Sequence, residues 1–410
     1  MPSPPGKSDD SAFRVTGAKA WYLAGNALTP GDREVELAIT GPATTGVVDV
    51  WLDRQYAGRA DRTSDGFHAT VALDEVAIGE HQILLQADEG EFAFAELRFH
   101  KSHPLYVAVS NDWDDPDNDD PMLERQERLH ARHPELVLTH FVGPYTFTDP
   151  ALSDARKRYL AEWVSRLARD EGDEIGLHVH PWCHFVRSAG VTCRTSPSFA
   201  YATGDTSGYT VILSSYTEAE LEQLFAHARA LFVANGLPAP TSFRAGGWTA
   251  EPHVLQALAN EGHVADSSGC NWSRLEEWQG HTGAVLYNWN REHWSFVTET
   301  TQPYYPVAGS LDPAATGARL PLLEVPDNGL LVDYVSGSEM IDMFGRNFPD
   351  GAALTEPRVY AIGYHPPNFS ETYFSRIDQA LTEIDRHLAS AGDGPVIYAR
   401  MSDLPRVFGH

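Results

Sequence analysis

The amino-acid sequence predicts an α/β protein in two parts, a small all-β sandwich over residues 12–101 and a (β/α) barrel over residues 102–410. Three observations carry this reading. The chain has 410 residues, too many for one small domain but enough for a barrel with an appendage. From Ala12 to Lys101 the pattern is short alternating runs broken by turn residues. After His103-Pro104 it becomes strands alternating with helices, without a Gly-rich phosphate fingerprint, which favours a barrel over a dinucleotide-binding sheet.

Composition narrows the partners. Apolar residues make up 42% of the chain, enough for a core of normal size. Acidic residues number 57 against 30 basic, a net charge of −27. Such a surface repels phosphate backbones and anionic lipid, so neither nucleic acid nor a membrane surface is expected as a partner. No stretch reaches the ~18 apolar residues of a membrane span. The opening segment MPSPPGKSDDSAFRV has no apolar run of the signal-peptide kind, which leaves a cytoplasmic location and export by another route both open. The oligomeric state is equally open. The three cysteines cannot build a disulfide framework. Cys183 and Cys193 could pair and leave Cys270 over, but free Cys is so often buried that three free, mostly buried thiols are expected.

Residues 1–11 are rich in Pro, Ser, Gly and Asp and are expected to form a mobile tail. Residues 34–39, 47–52, 69–73 and 82–86 have strand length and are separated by Gly, Pro, Asp and Thr. No cluster of His or paired acids falls among them. The sandwich is therefore expected to stay out of the chemistry, packing on the catalytic part or binding carbohydrate. Residues 106–109 and 137–142 read as buried strands. Between Ser153 and Arg169, Leu160, Trp163, Val164 and Leu167 share a helical face. Thr217-Glu218-Ala219-Glu220 is a capping box opening a helix that carries Leu221, Leu224, Phe225, Ala228, Leu231 and Phe232 and ends at Gly236. Another helix carries Leu255 and Leu258, the last carries Ile377, Leu381, Ile384 and Leu388, and residues 396–399 form the closing strand. The stretch from Leu286 to Tyr334 is aromatic and Pro-rich without clear period, and reads as a long loop that shapes a pocket.

Polar groups concentrate at the carboxyl ends of the barrel strands, where barrel active sites sit. Asp112 and Asp114 end the first strand and in extended backbone would point to one side. One could hold a metal while the other acts as base; a solvated acidic loop is the alternative, since Asp115, Asp117, Asp119 and Asp120 follow. His178 and His180 also share a side of their strand, and neutral imidazoles suit a borderline cation such as Zn²⁺. Arg244, Asp266 and His365 each stand at a strand end, where an ion pair, a helix cap and a core histidine are the plainer readings. Trp113, Trp182, Trp248 and Trp272 lie near these ends; flat rings such as those of Trp182 and Trp248 suit sugar faces, with core packing the alternative.

Taken in order, Asp112-x-Asp114, Glu174-Ile175-Gly176-x-His178, Phe243-Arg244, Asp266-Ser267-Ser268 and a late strand ending at His365 resemble the polysaccharide deacetylase family, the NodB-like metal-dependent carbohydrate esterases. The resemblance covers residues 104–410. It implies a distorted (β/α) barrel, a divalent ion and hydrolytic removal of acetyl groups from N-acetylated sugars of a polysaccharide or oligosaccharide. It further implies that Asp112 is the general base, Asp114 the metal carboxylate and His178 the first metal histidine. Arg244 would orient the base, His365 would be the general acid, and Asp266 would tune that histidine. Two departures stand out. Trp113 separates acids that are adjacent in the common pattern, and Trp182 occupies the position of the usual second metal histidine. His180 is the substitute, because His-x-His-Pro-Trp is similar to the form found in surface-polysaccharide relatives; His184 is the other candidate. Hydrolysis of another small amide or an O-acetyl ester would suit the same residues. A non-catalytic carbohydrate-binding protein would not need all of them together.

Overall fold

The structure, a computed structural model, describes residues 6–7, 12–199, 205–278 and 285–409. They group into two units: Met1–Leu105 with Phe348–Arg358 and Arg386–Ile397, and Tyr106–Asn347 with Val359–Asp385 and Tyr398–His410. The later segments of the first unit come from the part of the chain assigned to the barrel on sequence alone.

In the first unit, strict alternation along Glu34–Thr40 turns Val35, Leu37 and Ile39 inward and leaves the intervening residues exposed. This strand pairs antiparallel with Phe67–Ala72 in a four-stranded sheet. The other sheet has six strands, built around the long antiparallel pair Gly79–Ala87 and Phe92–Ser102. Val35, Leu37, Phe67, Val71, Ile83, Leu85 and Phe99 form one buried cluster, the core of the sandwich. Within the expected tail, Gly6–Lys7 instead pair with Phe92 and Ala93; residues 1–5 and 8–11 lie outside the described residues. Trp21 stacks on His100 and meets Phe348 edge-on, and its N–H donates to Gly392 O at 3.2 Å, which ties the later segments to the sandwich.

The second unit is a curled sheet of parallel strands flanked by helices. Its order is Leu323–Glu324, Ala265–Asp266, Ser242–Ala245, Glu174–Val179, Leu138–Val142, Leu105–Asp112, Arg358–Tyr364. Leu105–Asp112 is buried along its whole length, as an apolar strand covered on both faces must be. Between the first and last strands of that order the ring is closed by irregular backbone: Gly329 N–H donates to Ala361 O at 2.8 Å and Val332 N–H to Gly363 O at 2.9 Å. This makes the barrel distorted. Asp154–Asp170 is capped by Ser153, and Glu218–Ala234 carries the full Thr217–Glu220 capping box. The closing helix ends at Ile384, so Leu388 falls beyond it and bridges to Val396. The stretch read as a loop from Leu286 to Tyr334 contains most of a helix, Val285–His293, in which Leu286, Trp289, Asn290 and His293 recur at three- and four-residue spacing, and the strand Leu323–Glu324. Cys183 and Cys193 are disulfide-bonded, with Cα atoms 5.2 Å apart, and among the described residues only Cys270 is a free thiol. The expectation of three free thiols is thereby corrected: the short helix Cys183–Ser188 turns the chain back and brings the two together. No helix among the described residues is long and apolar enough to cross a membrane.

Candidate active site

The carboxyl ends of four strands of this sheet, Leu105–Asp112, Glu174–Val179, Ser242–Ala245 and Arg358–Tyr364, deliver groups to one cavity of ≈ 750 Å³. Asp112 is the last residue of Leu105–Asp112, and the chain turns at once: Asp114 N–H donates to Asp112 O at 3.0 Å. The backbone is not extended here, which corrects the premise of the shared-side spacing. Trp113 anchors the turn; its ring is buried and its Nε1–H donates to Asn111 Oδ1 at 3.0 Å. Both acids nonetheless line the cavity.

Asp114 faces two imidazoles. His178 Nε2 lies 3.1 Å and His180 Nε2 3.4 Å from Asp114 Oδ1. The three side chains form the one metal-type cluster among the described residues, with ligand atoms within 4.8 Å of one another. The opposite ring nitrogens are spoken for. His178 Nδ1 is 2.9 Å from Arg244 O, and His180 Nδ1 is 2.9 Å from Tyr209 O. Each carbonyl needs a donor, so each Nδ1 carries a proton, and each ring is turned so that Nε2, the remaining position for a ligand bond, faces Asp114. Partners that hold Nδ1 in this way are what metal-binding histidines require. The donor set thus fits a divalent cation. The Asp114 carboxyl is buried, which opposes ionisation, but the charge of His365, joined by His180 and His178 where they donate to the carboxylate in place of a cation, prevails and holds it well below the usual carboxylate range. Room for the His180 ring comes from Gly246, where a Cβ would lie 2.6 Å from Nδ1. His184 stands apart from the cluster, 2.9 Å from Thr148 Oγ1 through its Nδ1.

Arg244 is fully buried on strand Ser242–Ala245, in register with His178. Its Nη1 donates to Asp112 Oδ1 at 3.1 Å and to Ser110 Oγ at 2.9 Å; Nε donates to Ser267 O at 3.0 Å and Nη2 to Ser267 Oγ at 2.8 Å. Asp327 Oδ2 lies 3.7 Å from Nη2. Burial pushes the Asp327 carboxyl up to about 6 against the pull of Arg244, with Asp112 adding to the rise.

His365 follows strand Arg358–Tyr364 and lines the cavity, with Nε2 3.7 Å from Asp114 Oδ2. Its Nδ1 is paired at 2.9 Å with Asp333, not with Asp266. Burial alone would lower its pKa, but Asp333 and Asp114 outweigh that and push it up to about 10, so this imidazole holds its proton at neutral pH. Asp266, expected to tune His365, is placed elsewhere. It sits in a two-residue strand opposite Glu324, accepts from Ser268 Oγ at 2.7 Å, and is fully buried. Burial raises both of these carboxyls, Glu324 well above the usual carboxylate range.

The two tryptophans expected against substrate part company. Trp248 lines the cavity, held by Nε1–H to Asp327 Oδ2 at 3.2 Å, in a left-handed backbone conformation (φ 55°) that costs about 1–3 kcal/mol for such a residue. Trp182 is not among the lining residues; its Nε1–H donates to Asp114 O at 3.1 Å and steadies the acidic turn. Asp333 and Tyr209 escaped the sequence reading. The run Leu330-Leu331-Val332-Asp333 has the same signature as Asp112, an apolar stretch ending in an acid, and could have revealed the first. Tyr209 follows no periodic segment and gave no such signal.

No family model matches the chain, and no curated protein matches it. Solved structures do. A family 4 carbohydrate esterase from Streptomyces lividans, in complex with acetate, is 10% identical over 74% of this chain and 95% of its own, with a TM-score of 0.36. A peptidoglycan deacetylase from Bacillus subtilis is 12% identical over 74% and 91%, with a TM-score of 0.36. A 4-alpha-glucanotransferase from Thermococcus litoralis is 10% identical over 74% of this chain and 40% of its own, with a TM-score of 0.40. Several of the other similar structures are again polysaccharide deacetylases or family 4 carbohydrate esterases. Identities this low carry no residue of the site across, and one fold hosts many chemistries.

Proposed function

We propose that the chain is a metal-dependent hydrolase that removes acetyl groups from N-acetylated sugars of a polysaccharide or oligosaccharide. One observation carries the reading. A cation-type triad shares its cavity with an Arg-held carboxylate on one strand end and a carboxylate-backed imidazole on another. Asp114, His178 and His180 would hold one divalent ion, Zn²⁺ in our reading, and a bound ion supplies Lewis acidity toward an acyl oxygen and makes water more acidic. Asp112 takes the proton of the attacking water. Arg244 aims Asp112 through the bond at 3.1 Å. His365, protonated at Nε2 and backed at Nδ1 by Asp333, gives its proton to the departing nitrogen. Water is thereby added across the C–N bond, leaving acetate and the free amino sugar. Trp248 offers an apolar wall beside the site. The test is acetate release from an acetamido-sugar oligomer by metal-replete and by chelator-stripped protein. Release that needs the metal supports the reading; no release from either form, in a folded protein, sinks it.

A further inference from the structure

We propose that Tyr209 is the positioning residue of the Asp114–His178–His180 triad, gripping two of its three members at once; the inference rests on the metal-centre reading above. Its carbonyl oxygen accepts from His180 Nδ1 at 2.9 Å, and its hydroxyl donates to Asp114 Oδ2 at 2.8 Å. The first bond turns His180 Nε2 inward. The second occupies the far oxygen of Asp114 and leaves Oδ1, the atom already facing both Nε2 atoms, as the single carboxylate ligand. A carboxylate free to turn could offer either oxygen or both. One held at Oδ2 has its approach decided before the ion arrives, which is how outer partners raise metal affinity.

The chain is built to deliver Tyr209 to this place. Gly208 has a left-handed backbone (φ 85°), and a Cβ there would lie 2.4 Å from Pro181 O, so only glycine lets this turn dock on the segment that carries His180. Cys183 N–H donates to Ser207 O at 2.7 Å, and Cys183 is itself fastened to Cys193. Ser207 Oγ accepts from Tyr209 N–H at 3.1 Å and donates to Asp205 at 2.9 Å. The phenol ring lies against His180, with centroids 4.4 Å apart, and against Trp182 at 5.0 Å, so it cannot swing away. Turn, disulfide and ring packing all converge on one hydroxyl.

Tyr209→Phe removes that hydroxyl and keeps both the ring and the carbonyl. The experiment titrates Co²⁺ into metal-free wild type and variant, reading the visible absorption bands and the Kd by competition with a chromophoric chelator. Melting of the metal-free proteins is followed alongside. The expected result is a Kd weaker by about 10–100-fold with shifted Co²⁺ bands, while the metal-free melting temperature is unchanged. In an Asp114→Ala background the same substitution should change affinity no further, because the hydroxyl acts through that carboxylate. Identical Kd and identical bands in wild type and Tyr209→Phe would overturn the proposal while leaving the metal centre standing, as would a full additional loss in the Asp114→Ala background. Failure of the wild type itself to bind Co²⁺ overturns the metal centre, and this proposal with it.

Discussion

Asp333 stands 2.9 Å from Nδ1 of His365, on the side of the ring away from Asp114. The pairing turns a histidine at a strand end into a proton donor with a fixed direction. His365→Ala should lower turnover by about two to four orders of magnitude, the usual cost of losing a general acid or base. Metal content and melting temperature should hold. Asp333→Asn keeps the ring but removes the charge that sustains its proton, so the alkaline limb of the pH–rate profile should move to lower pH. Unchanged turnover in folded, metallated His365→Ala would remove this residue from the mechanism.

How far the site could be read from sequence depended on backbone continuity. Asp112, His178, Arg244 and His365 end or follow apolar runs, and a buried strand has only one place to put a polar end group. Asp333 is brought in by the irregular backbone that closes the barrel beside Gly363, and no periodicity announces such closure. Asp266 misled for the opposite reason. It ends a strand like the others, but a two-residue strand across from Glu324 turns its carboxyl into the wall rather than into the cavity. The sandwich was legible because alternation along 34–40 survives in the burial of every second residue. The segments 348–358 and 386–397 were not, since a contact such as that of Trp21 with Phe348 spans most of the chain.

Arg244 is worth more than its bond to Asp112 suggests. Its side chain and those of Asp112 and Asp327 are all but sealed from solvent. Arg244→Ala would strand two buried carboxyls without their cation, and breaking a buried pair in this way typically costs about 3–5 kcal/mol. Urea unfolding of the variant should show a loss of that order, with activity abolished. Arg244→Ala unfolding at the wild-type midpoint would mean that water reaches the network and carries the charge instead.

Metal removal offers a test of stability as well as rate. A ligand that binds only the folded chain stabilises it by RT ln(1 + [L]/Kd), about 4 kcal/mol at a thousand-fold excess over Kd. Chelator-treated protein should melt lower than metal-replete protein, and His178→Ala should melt at the same temperature with and without Zn²⁺. A melting temperature indifferent to Zn²⁺ in the wild type would argue against the triad as a binding site.

The first unit makes a prediction about stability, beside the expectation that the sandwich stays out of the chemistry. Residues 348–358 and 386–397 belong with it, through the Trp21–Phe348 ring contact and the bond from Trp21 N–H to Gly392 O. A chain starting near Ser102 keeps every residue of the triad but exposes Phe348, which is otherwise 4% accessible. Losing the cover of a buried aromatic costs about 1.5–3 kcal/mol or more. Such a chain should therefore melt well below the full protein, and a melting temperature equal to that of the full chain would show that these segments hold without the sandwich.

His263 should make the protein acid-sensitive in a window away from the carboxylates. Its ring is buried between Phe225 and Phe243, and neither ring nitrogen has a partner among the described residues. Burial, with help from Arg229, lowers its pKa from 6.5 to about 4. Above pH 6.5 both folded and unfolded chains carry it neutral, and stability is complete. As pH falls below 6.5 the unfolded chain takes up a proton that the folded chain refuses, so stability declines until about pH 4, where the folded ring titrates too. A gap of this size amounts to about 3 kcal/mol. Urea unfolding midpoints measured at pH 7, 5.5 and 4.5 should fall steadily in the wild type. In His263→Leu, which leaves an apolar group among the aromatic rings, that part of the decline should vanish. An equal fall in wild type and variant would place the acid sensitivity elsewhere; the Asp173 carboxylate between His130 and His140, lowered to about 2, loses its contribution only in more acidic solution and does not enter this window.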